Sequence, residues 1–181
     1  FAGGDAIITA PETRASAPLG SVPAGTPPHV ALRMLQAGHR RFLGDGKPTA
    51  DLGKARREAL VEGQMPPVIV LTCADSRVVP SLLTHTSPGD LFVERNPGNI
   101  VPIHAEGVAG ESASIEYAVA VLNVPHIIVC GHTDCGAVKG MLHPEKVEAV
   151  PAVARWLSYG ESARARTLAA LPDDADEEAR V

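Results

Sequence analysis

The side chains with chemistry to offer gather in two short segments, Cys73-Ala74-Asp75-Ser76-Arg77 and Gly131-His132-Thr133-Asp134-Cys135-Gly136. Between them they hold two thiols, an imidazole, and a carboxylate two residues from a guanidinium. Two thiolates and an imidazole suit a borderline-soft divalent metal, zinc above all. A catalytic zinc takes three protein ligands and keeps a fourth position for water, and Cys73, His132 and Cys135 supply the three. The His-x-x-Cys spacing lets two ligands converge from one turn. Cys73 reaches them if the strands leading into the two segments are neighbours. Such a zinc is formally neutral before water binds, hence a weaker Lewis acid than one held by three histidines. Asp75 and Arg77 can supply the missing help. Arg77 keeps Asp75 ionised and aims it bidentately. Asp75 can then accept the hydrogen of zinc-bound hydroxide and orient its lone pair toward a substrate. Swung onto the metal as a fourth ligand, Asp75 would instead close the site.

The plainer readings are a structural zinc knuckle with four protein ligands, or cysteines that are simply buried. A free cysteine is commonly a small buried hydrophobe, and Cys130, in an apolar stretch, is assigned no role. Structural sites usually bring ligands in paired knuckles, whereas Cys73 has no near partner except Asp75. The joint pattern therefore favours a catalytic centre.

Both segments follow apolar, β-branched runs, so each sits where a strand gives way to a loop, the place where open α/β sheets put their chemistry. Val68 to Cys73, apolar on both faces, reads as a buried parallel strand. Asp90 to Glu94, after the Pro88-Gly89 turn, is a second strand, and His126 to Cys130 a third. Leu32, Leu35, His39 and Phe42 recur at helical spacing until Gly44 to Gly46. Further helices are expected over Lys54 to Glu62, Val79 to Thr84, Glu111 to Leu122 (apolar face Ile115, Ala118, Val119 and Leu122), from about Cys135-Gly136, and over Pro151 to Tyr159 with Val153, Trp156 and Leu157 buried. Asn96 to Asn99 should form a tight loop. The alternation predicts an α/β fold with a parallel sheet flanked by helices.

The chain of 181 residues is long enough for one domain with a real core, 45% apolar and 20% charged, with a net charge of −5. Aromatics are only 3%, so Val, Ile, Leu and Ala must build that core. Basic residues are scattered, which argues against a nucleic-acid surface. Three cysteines, an odd number, argue against a disulfide framework and for a reducing compartment, here the cytoplasm. No apolar run approaches a membrane span, and the first nine residues are too short and polar for a complete signal peptide. Residues 1–27, rich in Pro and Ala, read as a flexible arm or linker before a zinc domain over 28–181. The acidic run Asp173 to Glu178 reads as a solvated helix start or a fraying tail. No strand is followed by a Gly-rich phosphate loop, so nucleotide binding is a poor fit.

Cys73-x-Asp75-x-Arg77 and His132-x-x-Cys135, with Pro88-Gly89-Asp90-Leu91-Phe92-Val93, Arg95-Asn96-x-Gly98-Asn99 and Ser114-Ile115-Glu116-Tyr117-Ala118-Val119 between them, resemble the β-class carbonic anhydrases from about Leu32 to Trp156. The resemblance implies reversible hydration of carbon dioxide to bicarbonate and a proton, through zinc-bound hydroxide, with one zinc per chain. It implies a homodimer or higher homo-oligomer, and a substrate pocket at Gln64, Phe92, Tyr117 and Gly136. Gln64 would donate to a substrate oxygen, with Phe92 and Tyr117 keeping the pocket apolar. Read by themselves, these would be a helix-end residue, a core residue and a buried helical anchor. Val70 occupies the position where bicarbonate-gated members carry Trp, which points to the open, plant-like type, although Arg95 matches an Arg of the gated members. Family members continue with another helix and two strands, so a C-terminal sheet edge is expected to be missing from this chain. The long arm would also suit fusion to, or association with, a membrane transporter. Two rival functions stay open: hydrolysis of carbonyl sulfide or carbon disulfide on the same fold, and a non-catalytic zinc-binding regulatory module. His39, His85, His104 and His143 are candidate proton shuttles, each more simply an ordinary surface or helix residue.

Overall fold

The computed structural model describes residues 26–44, 52–103, 110–172 and 175. The expected arm over 1–27, except its last two residues, and most of the acidic run lie outside them, as does His104. Three strands, β1 (Ile69–Cys73), β2 (Phe92–Asn96) and β3 (Ile127–Cys130), form a sheet in the order β2-β1-β3. The strands are parallel and flanked by helices, as the alternation predicts. All five residues of β1 are buried, because a central parallel strand is covered on both faces. At the sheet's edge, β3 leaves Ile127 and Val129 about half exposed.

The chain divides into two compact units, one of residues 1–70, 79–94 and 113–128, the other of 71–78, 95–112 and 129–181. In the first, helix α1 (Pro28–Leu43) opens with proline at a first-turn position, where a missing N–H costs nothing, and closes with Arg40 and Arg41 near its negative end. Its buried stripe is Ala31, Leu35 and Gly38. Ala31 and Leu35 pack with Val68 and Val70, against Met34, Leu91 and Ile128. Of the apolar residues whose spacing identifies the helix, Leu35 is buried, whereas Leu32 and Phe42 are more than 40% exposed. Phe42 instead stacks on His39, whose Nδ1 lies 3.2 Å from the Leu83 carbonyl. Gly38 is fixed by close approach, since a Cβ there would fall 1.8 Å from the carbonyl oxygen of Thr84 in helix α3 (Pro80–Thr84).

A second apolar cluster joins Ile69, Ala118, Leu122 and Val124, with Phe92 and Tyr117 packed against it. The helix expected over Glu111–Leu122 is α4 (Gly110–Glu116) continued by a π-helical turn, Tyr117–Val121, in which Leu122 N–H donates to the Tyr117 carbonyl. The wider turn leaves Val119, one of the four expected face residues, 44% exposed.

Helix α2 (Lys54–Ala59) ends earlier than its apolar pattern suggests and buries an arginine. Arg56 donates to the Pro88 carbonyl at 2.8 Å and to Asp90 Oδ1 at 2.9 Å, and Asp90 Oδ2 accepts from Ser87 N–H at 2.8 Å. Asp90 thus closes the Ser87–Asp90 turn instead of opening β2, which starts two residues later.

The second unit carries α5 (Gly136–Leu142), α6 (Pro151–Leu157) and α7 (Glu161–Ala170). Of the expected buried residues of α6 only Leu157 is buried, against Gly140. Val153 is exposed, and Trp156 is half-buried, its indole N–H donating to the Pro97 carbonyl at 2.8 Å. No spacing signal announces α7, which buries none of its residues.

The Arg56–Asp90 pair generates a stability prediction. Burial pushes the Asp90 carboxyl up, against the lowering effects of the Ser87 N–H and of Arg56. Arg56→Ala should cost about 3–5 kcal/mol, because a buried carboxylate loses its counter-ion. A carboxyl whose folded pKa exceeds its unfolded one favours the fold when protonated. The deficit should therefore be full at neutral pH and shrink as the pH falls through the folded pKa. Urea unfolding of both proteins at neutral and mildly acid pH measures this, and equal deficits at both would show that Asp90 is not the group left stranded.

Candidate active site

The two chemical segments begin where β1 and β3 end, and β1 and β3 are neighbours. The Thr72 hydroxyl donates across the pair to the Cys130 carbonyl at 2.9 Å. Adjacent parallel strands thus deliver both loops to the same end of the sheet, where backbone pairing gives way and side chains converge.

The ligand atoms of Cys73, His132 and Cys135 all lie within 4.8 Å of one another. The two sulfurs are 3.8 Å apart, which is also the spacing, about 3.8 Å, of two thiolates each about 2.3 Å from a tetrahedral zinc. Both cysteines are buried free thiols. His132 Nδ1 sits 2.8 Å from the Thr133 carbonyl; that contact requires a proton on Nδ1 and leaves the lone pair on Nε2. Nε2 is buried and, among the described residues, has no hydrogen-bond partner. An orphaned basic nitrogen facing two thiols is the arrangement a metal completes, so these residues fit zinc.

The thiols differ in their surroundings. Burial works to raise Cys73, but hydrogen bonds, chiefly from the N–H groups of Gly98 and Asp75, outweigh it and bring its pKa down to about 7. The Gly98 N–H reaches the sulfur at 3.4 Å. Gly98 is at φ +80°, and a Cβ there would lie 3.0 Å from that of Ala137, so this donor comes from a position suited to glycine. Cys135 moves the other way: burial raises its pKa, N–H groups of Val138 and Ala137 oppose that, and neighbouring Cys73 adds to the rise.

Asp75 is wholly engaged by Arg77. Its Oδ1 accepts from Arg77 Nε and from the Arg77 backbone N–H, both at 2.9 Å, and its Oδ2 accepts from an Arg77 terminal nitrogen at 2.7 Å. These contacts hold the Asp75 carboxyl well below the usual carboxylate range. Arg77 also donates to Asp134 Oδ2 at 3.2 Å and to the Asp134 carbonyl at 3.3 Å. Lys139 ion-pairs with Asp134 Oδ1. Arg95 clamps the loop backbone, Nε to the Cys73 carbonyl at 3.1 Å and a terminal nitrogen to the Asp75 carbonyl at 2.6 Å. Sequence reasoning singled out Asp75 and Arg77 but gave no such part to Arg95, Gly98, Asp134 or Lys139. Asp134, inside the His-x-x-Cys stretch, carried a signal; contacts between side chains and backbone leave none.

The residues named for the pocket are placed as follows. Phe92 and Tyr117 are half-buried and meet, ring centroids 6.2 Å apart at 32°. Gln64 is exposed between α2 and β1, and Gly136 is the exposed first residue of α5. Val70 is buried within the first unit's core. Of the candidate shuttles, His85 is buried at the end of α3 and His143 lies 3.5 Å from Glu145. Cys130 is an exposed thiol at the end of β3.

The family model described as carbonic anhydrase matches residues 68–181. A carbonic anhydrase of Pseudomonas aeruginosa is 46% identical over 151 residues, 83% of this chain and 66% of its own length. The chain thus spans just under two thirds of that relative. Among solved structures, the β-carbonic anhydrase CcaA superposes with a TM-score of 0.67 at 36% identity, covering 82% of this chain and 71% of its own. A tetrameric β-carbonic anhydrase from the ascomycete Sordaria macrospora gives 0.59 at 31% identity, covering 84% and 70%. With the Cys-His-Cys cluster and the Asp–Arg pair at the ends of neighbouring strands, and with these matches over most of its length, the chain belongs to the β-class carbonic anhydrases.

Proposed function

We propose that this chain catalyses the reversible hydration of carbon dioxide to bicarbonate and a proton, with one zinc held by Cys73, His132 and Cys135. The observation that carries this reading is the convergence of three ligand atoms beside a carboxylate that Arg77 fully engages. Zinc bound there supplies a Lewis acid that makes a water molecule acidic enough to serve as nucleophile near neutral pH.

The chain's own residues do the rest. Asp75, ionised and held bidentately, has both lone pairs of Oδ1 taken up by Arg77 and keeps one free on Oδ2. It accepts a hydrogen bond from the attacking oxygen and so turns that oxygen's remaining lone pair toward the carbon. Arg95, holding the carbonyls of Cys73 and Asp75, fixes the loop that carries ligand and acceptor together. Phe92 and Tyr117 offer apolar surface to an uncharged gas, Gln64 a donor to a substrate oxygen, and Gly136 a side without a side chain. A homodimer or higher homo-oligomer fits a family with tetrameric members. Three free cysteines suit a reducing, cytoplasmic setting. No helix among the described residues is long and apolar enough to cross a membrane, and the relatives lend no support to association with a transporter.

Stopped-flow hydration of carbon dioxide, on protein whose zinc has been quantified, is the direct test. Turnover should scale with zinc, and Cys73→Ala, His132→Ala and Cys135→Ala should lose metal and activity together. Full activity without bound metal would sink the reading. Zinc at one per chain with no turnover would favour the regulatory module, and preferential turnover of carbonyl sulfide or carbon disulfide would favour the sulfur hydrolase.

Asp75→Asn should retain zinc and lower turnover on the order of a hundredfold or more. An unchanged rate would remove Asp75 from the mechanism.

The pH profile follows from the Asp75 environment. A carboxyl held below its ordinary range is ionised throughout a neutral-to-alkaline assay and contributes no rise there. Activity should nevertheless climb with pH as the reactive water ionises. A flat profile over that range would contradict this reading.

A further inference from the structure

The charged chain at the site does not end with Asp75 and Arg77. The Arg77 side chain is 62% exposed, and a long exposed side chain gives up rotamer freedom to hold one geometry. If Asp75 were its only partner, Arg77 would bear that whole cost in pairing with the residue it is meant to hold. Asp134 shares it. The Asp75 contacts use Nε and one terminal nitrogen of Arg77, whereas the Asp134 carboxylate takes the other terminal nitrogen. The two carboxylates therefore do not compete for the same donor. The Asp134 carbonyl adds a further contact at 3.3 Å.

Asp134 is itself held in place. It lies between His132 and Cys135 with φ +57°, a left-handed conformation that Asp and Asn tolerate better than other residues with a side chain. From there its carbonyl and one carboxylate oxygen both reach Arg77, while Lys139, from helix α5, takes the other oxygen. Charges alternate along Asp75, Arg77, Asp134 and Lys139.

We propose that Asp134, backed by Lys139, is a positioning residue that ties Arg77 to the loop carrying His132 and Cys135 and thereby keeps Asp75 on Arg77 and off the metal. This rests on the reading of Cys73, His132 and Cys135 as the metal ligands. With a metal held by those three ligands, Asp75 would have two cations to choose between, the guanidinium and the metal, and the difference in free energy would divide its population between them. An Arg77 already ordered by Asp134 loses less freedom on pairing with Asp75, so the Arg-bound state gains. Without that anchor the balance moves toward a metal closed by its own carboxylate.

The test uses the cobalt-substituted protein and azide as a probe of the metal's exchangeable position, followed in the visible bands at constant ionic strength. Asp134→Asn preserves the left-handed turn and removes the charge. It should bind cobalt at the wild-type stoichiometry but azide about fivefold more weakly, a shift of about 1 kcal/mol. Lys139→Met should act in the same direction. In an Asp75→Ala background no carboxylate is there to close the site, so Asp134→Asn should make no difference to azide binding, and the cycle isolates the coupling. Equal azide affinity in wild type and Asp134→Asn, or a loss that persists with Asp75→Ala, overturns the proposal. Failure of the anhydrase reading looks different: no carbon dioxide turnover in wild type while the azide cycle still reports. A wild-type protein that takes up no cobalt overturns both.

Discussion

Two sulfur atoms far apart in the chain must stand 3.8 Å from each other, and that spacing depends on one pairing, the lateral contact of β1 with β3. Parallel neighbours end on the same side of a sheet, so a residue at the end of each is brought close without any long connection having to aim it. The Thr72 hydroxyl, donating to the Cys130 carbonyl, reinforces the alignment next to the first ligand. The fully buried lead-in of β1 serves the same end. A strand buried on both faces is anchored in position, and its last residue inherits that anchoring. Cys73 is therefore placed by the core rather than by its loop.

The loops then solve an electrostatic problem. The Cys73 sulfur, the Asp75 carboxylate and the backbone carbonyls of both residues lie along one short loop, and negative or partly negative groups so placed repel one another. The structure gives each of these groups a donor of its own. Arg77 takes both oxygens of Asp75, Arg95 takes the carbonyls on either side of Ala74, and the Gly98 N–H takes the Cys73 sulfur. Each contact lowers the energy of a negative or partly negative group while leaving the third ligand, His132 Nε2, without a competitor among the described residues. The donor set is kept ready and the acceptor kept aside by the same group of side chains.

What could be read in the sequence divides along physical lines. β1 was legible because burial on both faces writes a largely apolar, β-branched run, and the Cys-His-Cys cluster that could hold a metal because thiols and imidazole at that spacing have few other uses. The start of β2 was misplaced because Asp90 looks like a strand residue after a Pro-Gly turn, when its carboxylate in fact closes that turn onto Arg56. The apolar spacing showed α1 as a helix but not its contact with α3, because that contact needs an absence, Gly38 against the Thr84 carbonyl. The π-helical turn at Tyr117–Val121 leaves the composition of a helix unchanged and so cannot be seen in apolar spacing. α7 was passed over because a helix that buries nothing has no stripe to show.

The same contrast bears on which parts of the site can vary. Ile69 and Val70 pack in the two apolar clusters of the first unit, while Cys73, at the far end of the same strand, belongs to the second. A change among the exposed charged groups, Arg77 and Asp134 above all, alters electrostatic balance with little loss of buried apolar area. A change at Gly98 alters the backbone itself, since the N–H that reaches the Cys73 sulfur comes from a left-handed residue where a Cβ would sit tightly, 3.0 Å from that of Ala137. The chemistry can therefore be tuned through the charged chain at small cost in stability, whereas the placement of the Cys73 sulfur is tied to the backbone of β1 and of Gly98.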